Sequence, residues 1–340
     1  MKAVALKAYL PISNPESLLD VTLDAPTPTG HDILVAVEAI SVNPVDTKVR
    51  APKPKVEEHY RVLGWDAAGR VVAVGEDVTL FKVGDPVFYA GSIARPGSNS
   101  ELQLVDERIA GHKPKSLSSA QAAAIPLTAI TAWEGLFDRL QIPQGKNNPA
   151  KNLLIIGGAG GVGSVAIQLA KALTNVTVIA TASRAESSDW CKKLGADVVI
   201  DHHKPFLAQL QAQGIHHVDY IFCLNNTDQH WSNMADAIKP QGHICSIVET
   251  SSNLDLNLLK NKSVSFSWEF MFTRSLYNTD DMIEQHHLLN RVAALIDEGH
   301  IITTVTDVLS PINAENLRKA HAQLESGTTI GKLVLENWPA

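Results

Sequence analysis

Apolar positions fall in two different rhythms along the chain. Up to about residue 125 they come in short β-branched runs, and Pro, Gly and Asn clusters such as 25–30 and 95–99 separate them. These runs predict strands over Lys2–Ala8, Asp32–Val42, Gly69–Val74, Pro86–Tyr89 and Glu101–Val105. A short helix follows Asn43-Pro44, where Pro suits a helix start and Asp46 supports the first N–H groups.

From Ser118 the texture becomes alanine-rich with apolar residues at helical spacing, interrupted at Pro126, which marks a joint between domains. Beyond it, apolar runs and amphipathic stretches alternate. Strands are predicted over Val176–Thr181, Val198–Ile200, Val218–Cys223, His243–Val248 and Val264–Trp268, with helices over Glu186–Leu194, Pro205–Gln213 and Asp228–Ile238. That succession implies an α/β fold with a doubly wound parallel sheet, whose ligand belongs at the carboxyl ends of the strands. The tail predicts helix Met282–Glu298, strand Thr303–Leu309, helix Ala314–Leu324 and strand Lys332–Glu336. Periodicity leaves open whether these extend the parallel sheet or return to the first domain.

One stretch joins strand, turn and helix directly. The apolar run Asn152–Ile156 leads into Gly157, Gly158, Gly160, Gly161, Val162 and Gly163, and an amphipathic helix begins there. Gly158, Gly160 and Gly163 have GxGxxG spacing, in which glycines permit the bend, a pyrophosphate's approach and close helix–strand packing. The helix N-terminus offers N–H groups and a positive dipole end to phosphates. The turn therefore points to dinucleotide binding.

Bulk properties narrow the class. At 340 residues the chain is long for one core, so two domains are expected. No apolar run approaches a membrane span, and a net charge of -7 without a basic block argues against a nucleic-acid partner. The N-terminus lacks the pattern of a secretory leader, so a cytoplasmic location is expected. Cys191, Cys223 and Cys245 suit reduced buried thiols better than a disulfide framework.

Several motifs in order resemble the medium-chain dehydrogenase/reductase superfamily, in its zinc-independent quinone oxidoreductase branch. They are Ser41–Arg50, Val62–Gly75, Val83–Phe88, Ile125–Leu136, Ala159–Gly163, Lys193–Asp201 and Ile330–Leu335, and together they span nearly the whole chain. Trp268–Ser275 is similar to a subgroup often named zinc-type alcohol dehydrogenase-like proteins. The resemblance implies a GroES-like substrate domain over residues 1–125, a Rossmann NADPH-binding domain over 126–272, and a return of 273–340 to the substrate domain. It also implies a homodimer formed by pairing of the last nucleotide-sheet strand, near Val264–Trp268.

In zinc-dependent members a cysteine and a His-Glu pair hold the catalytic metal, but here those places read Asn43-Pro44-Val45-Asp46 and Trp65-Asp66. The close cysteine cluster of a structural zinc is also missing. The doublets His202-His203, His216-His217 and His286-His287 lack ligand spacing, so no metal is expected.

An NAD site places Asp or Glu at the end of the second strand. Here the chain reads Thr181-Ala182-Ser183-Arg184, and a hydroxyl with a guanidinium suits the 2′-phosphate of NADPH. The resemblance adds Lys332 and His202 to the adenosine side, and Thr128, Asn43, Leu224 and Asn225 to the nicotinamide side. Phe270 and Met271 either wall that pocket or pack the core.

Without a metal, a conjugated acceptor is favoured, because a quinone or α,β-unsaturated carbonyl spreads the developing charge itself. The expected activity is NADPH-dependent reduction of such a small molecule, with water or a weak acid as proton source. Asn43 is a candidate for hydrogen bonding at the reacting centre, and Tyr60 is a candidate donor if its loop folds over the cleft. A zinc-dependent alcohol dehydrogenase is disfavoured by the missing ligands, whereas a non-catalytic NADPH-binding protein keeps every cofactor feature.

Overall fold

A computed structural model describes residues 1–339. Two compact units divide the chain: one takes Met1–Ile130 and everything from Phe272 onward, and the other takes Thr131–Met271.

The first unit begins with β1 (Lys2–Tyr9), β2 (Leu19–Thr22), β3 (Asp32–Ser41), α1 (Pro44–Arg50), β4 (Lys53–Val62) and β5 (Ala67–Val74). It continues through β6 (Pro86–Tyr89), β7 (Leu102–Asp106), β8 (Ala110–His112), α2 (Ser119–Ala123) and the start of α3 (Pro126–Trp133). The second unit holds a π-turn (Glu134–Arg139), β9 (Lys151–Ile156), α4 (Gly161–Leu173), β10 (Val176–Thr181), α5 (Ala185–Lys193), β11 (Val198–Ile200) and α6 (Phe206–Ala212). It closes with β12 (Val218–Cys223), α7 (Thr227–Ala237), β13 (Ile238–Ser246), α8 (Asn257–Lys260) and β14 (Ser265–Trp268). The tail gives α9 (Thr273–Tyr277), α10 (Glu284–Asp297), β15 (Val305–Leu309), α11 (Ala314–Glu325) and β16 (Lys332–Glu336).

In the second unit the sheet runs β11-β10-β9-β12-β13-β14 and every pairing is parallel. This is the doubly wound order, with its switch point between β9 and β12. All six residues of β12 are buried, as a strand covered by helices on both faces requires. One boundary differs from the sequence expectation: β13 starts at Ile238, well before His243, because Pro240 cannot extend α7.

The first unit holds two sheets, β2-β1-β4 and β15-β16-β3-β5-β6-β8, with β7 also on β3. The tail strands enter this unit, where β16 lies between parallel β15 and antiparallel β3. Asp32–Ser41 of β3 alternates only partly, since seven of its ten positions are buried beneath neighbouring elements. The segment Lys53–Val62, which carries no clear period, forms β4 on the edge of the small sheet against β1.

Candidate cofactor site and buried polar cluster

The end of β9 is tied to the end of β10. Gly157 N–H donates to Thr181 Oγ1 at 3.0 Å, and Gly158 N–H donates to the Thr181 carbonyl at 3.2 Å. A Cβ on Gly158 would meet Ala180 Cβ at 2.7 Å, and one on Gly163 would meet the Gly157 carbonyl at 2.5 Å. Both glycines are therefore demanded by packing within the protein. Gly160 is different, because the nearest atom to a Cβ there lies 3.6 Å away. Its freedom from a side chain leaves open the approach to the start of α4.

Gly160 caps α4, Gly161 begins it, and Val162 and Gly163 complete the turn whose amides lack intrahelical acceptors. Ser164 anchors this turn by donating to the Gly160 carbonyl at 2.7 Å, while Trp190 Nε1 donates to Ser164 at 2.8 Å. Leu224 and Asn225, just beyond β12, line the other wall: their Cβ atoms lie 3.6 and 3.5 Å from a Cβ built on Gly157. The turn and these two residues thus meet at the switch point of the sheet, where a dinucleotide fits the open amides and the positive helix end.

At the end of β10 the chain turns into α5 with Ser183 and Arg184 exposed and no acidic residue before Glu186. Arg184 is the N-cap: its N–H donates to Ser187 Oγ at 3.2 Å and its carbonyl accepts from the same hydroxyl at 2.9 Å. The backbone is fixed while the guanidinium belongs to the surface. His202 follows β11 and packs its ring on His203, with centroids 4.4 Å apart. Burial, followed by the neighbouring His203, lowers its pKa, so it offers a neutral ring near neutral pH. Phe270 is half exposed beyond β14, whereas Met271 is buried.

Lys332, expected on the adenosine side, and Asn43, expected at the reacting centre, meet in one buried polar cluster. Lys332 is 3% exposed and its ammonium donates to the Val42 carbonyl and Asp66 Oδ2, each at 3.0 Å, and to Asn43 Oδ1. Three donors meet three acceptors, so Lys332 has nothing left for a cofactor phosphate. Asn43 is equally committed, since its Nδ2 donates to Asp66 Oδ2 at 3.0 Å while its Oδ1 accepts from Lys332. Asp66 Oδ1 accepts the Leu127 N–H at 3.0 Å, and Asp46 Oδ2 accepts the Asn43 N–H at 2.7 Å. Burial pushes the Asp46 carboxyl up to about 7, against the pull of the Asn43 N–H and Lys332. Asp66 is also raised by burial, with Lys332 opposing.

Thr128 is buried and donates back to the Ile125 carbonyl at 2.9 Å, so its hydroxyl hydrogen is already used. Tyr60, expected on a loop, sits within strand β4. It is 45% exposed and lines, with Val62, Ile93 and Leu104, a groove of about 710 Å³ within the first unit.

Residues 194–335 match the family described as zinc-binding dehydrogenase, and residues 29–124 match the alcohol dehydrogenase GroES-like domain. A zinc-type alcohol dehydrogenase-like protein of Staphylococcus aureus is 50% identical over 311 residues, covering 91% of this chain and 92% of its own. The chain belongs to the medium-chain dehydrogenase/reductase superfamily. As an oxidoreductase of that superfamily, it is also 29% identical to a quinone-oxidoreductase homolog of Spinacia oleracea, over 94% of each chain. A crystal structure of a zinc-dependent alcohol dehydrogenase protein from Rhizobium etli matches with a TM-score of 0.95 and 54% identity, covering 100% of this chain and 99% of that one. Escherichia coli quinone oxidoreductase complexed with NADPH matches with a TM-score of 0.82 and 26% identity, covering 99% and 100%.

The zinc in these names does not fit this dehydrogenase/reductase. Among the described residues no group of three or more His, Cys, Asp or Glu side chains is placed to hold a metal ion. At the expected His-Glu place Trp65 donates its Nε1 to the Ser92 carbonyl at 3.2 Å, and Asp66 holds an ammonium. A divalent ion there would have to displace Lys332 and would find no nitrogen or sulfur ligand. The Asp66–Lys332 pair joins residues 266 apart, so the sequence could show a lost metal ligand but not its new partner.

Proposed function

We propose that the protein is an NADPH-dependent reductase of quinones or α,β-unsaturated carbonyls that works without a catalytic metal. The observation that carries the reading is the Lys332 ammonium held by Asp66 and Asn43 at the place a zinc would need. With no Lewis acid to polarise a simple carbonyl, the acceptor itself must spread the incoming charge, as conjugated acceptors do. The quinone-oxidoreductase homolog among its relatives supports the same substrate class.

The bound cofactor would supply hydride to carbon. The chain's part is to bind and orient. The amides at Gly161–Gly163 and the dipole of α4 suit the pyrophosphate, and the uncrowded face of Gly160 admits it. Ser183 and Arg184, which follow β10 where an NAD site would carry an acid, suit a 2′-phosphate. Leu224 and Asn225 wall the path toward the nicotinamide side. Since Asn43 and Lys332 are committed to Asp66, the acceptor's proton comes from solvent in this reading. A cytoplasmic homodimer is part of the proposal, supported by three free buried cysteines and by the exposed Trp268 on edge strand β14.

Purified protein should oxidise NADPH with a quinone or short enone after thorough chelation, and activity that vanished with chelation and returned with zinc would overturn the metal-free reading. Arg184→Asp should weaken NADPH use by about tenfold or more relative to NADH, in line with about 1.4 kcal/mol for one lost charge-assisted contact. An unchanged NADPH/NADH ratio would remove Arg184 from the phosphate site.

A further inference from the structure

A second buried charge cluster lies at the end of β14. Glu269 extends the strand by one residue, its N–H donating to the Ser246 carbonyl at 2.9 Å. Its side chain is fully buried and accepts from Arg139 Nε at 2.8 Å. Beside it, within hydrogen-bonding reach, is the carboxyl of Glu134, the first residue of the π-turn and itself 0% exposed. Glu269 Oε1 meets no N–H or O–H donor among the described residues. Two buried carboxyl groups therefore lie side by side with the half-buried Arg139 guanidinium bonded to Glu269, and one proton between them removes both the surplus charge and the missing donor.

The turn itself points the same way. π-helical turns are rare and are found frequently at functional sites. Here the turn presents Glu134 at its start and Arg139 at its end to Glu269, the residue that follows β14. Among the described residues Cys245 on β13 also faces the cluster, and its thiol is pushed up to about 12 by burial and then by Glu269, so it stays neutral.

We propose that Glu134 and Glu269 share one proton and, with Arg139, clasp the end of β14 to the π-turn, making them positioning residues for Phe270 and Met271. The clasp opens when that proton is lost. The proposal rests on the cofactor reading only in what Phe270 and Met271 are positioned for, namely the nicotinamide side of the site. Burial, and then the charge and hydrogen bond of Glu134, push Glu269 up to about 9, with Arg139 opposing. Because the folded protein keeps a proton the unfolded chain has released, this contribution is complete below the ordinary carboxyl range and is lost as pH rises through about 9.

The test is amide hydrogen exchange over residues 265–271, corrected for intrinsic rate, together with NADPH binding by fluorescence. Wild-type protection should fall by about tenfold or more between about pH 8 and about pH 10, whereas Glu134→Gln, whose amide donates without needing a proton, should keep it within about threefold. Glu269→Gln serves as the second variant if the first does not fold. NADPH affinity should fall over the same interval in wild type and not in the variant. Equal alkaline loss of protection in wild type and both variants would overturn the clasp whatever happens to NADPH. Failure to bind NADPH at neutral pH would instead overturn the cofactor reading, leaving the exchange result to decide the clasp.

Discussion

Lys332→Met should destabilise the protein by about 3–5 kcal/mol in denaturant unfolding, one of the largest effects of any single exchange in the chain. The ammonium it removes serves three acceptors at once, and Asp66 would be left with a buried charge that only Asn43 and the Leu127 N–H address. Methionine fills much of the same space, so the loss measures the interaction more than a cavity. Adding Asp66→Asn should recover a substantial part, because Asn43 can turn its amide to accept from the new side chain. A loss below about 1 kcal/mol for the single variant would mean that the pair is solvated rather than buried.

The glycine turn yields a second large effect, with a built-in contrast. Gly163→Val should destabilise the fold by about 1–3 kcal/mol or more and abolish cofactor binding, since its Cβ alone would stand 2.5 Å from the Gly157 carbonyl. Gly160→Ala meets nothing closer than 3.6 Å in the protein and should unfold within about 0.5 kcal/mol of wild type. NADPH binding by Gly160→Ala should nevertheless weaken by about tenfold or more, the new methyl standing where the pyrophosphate approaches. Fluorescence titration and unfolding on the same samples separate the two. Full-strength binding by Gly160→Ala would show that the pyrophosphate does not pass that residue.

The two units were unequally legible in the sequence. Strands such as β12 announce themselves because both faces are covered and the run is apolar apart from Asp219, which Lys239 and the Asn152 N–H satisfy. β4 does not: Lys53–Val62 is exposed along most of its length, so no buried face imposes a period on its residues. The alanine-rich run after Ser118 reads as helix, and nothing in its composition separates the π-turn at Glu134–Arg139 from the α-helix before it. The glycine turn was legible because a local motif carries its function. The buried polar cluster was not, because Asn43, Asp66 and Lys332 are brought together from positions far apart in the chain. Each residue was visible; their mutual commitment was not.

β16 sits in the interior of the larger sheet of the first unit, between β15 and β3, although it is the last strand to be made. While a nascent chain emerges, β7 covers Asp32–Ala36 of β3 but Ala39–Ser41 lack their β16 partner until residue 332 arrives, and Asp66 waits for its counter-charge over the same interval. The parallel-sheet unit needs nothing beyond Met271 to complete its strand order. Synthesis should accordingly complete the strands of the parallel-sheet unit first and those of the first unit last. A premature stop between Met271 and Lys332 would release a chain with all strands of the parallel sheet and an unpaired stretch of β3 at Ala39–Ser41.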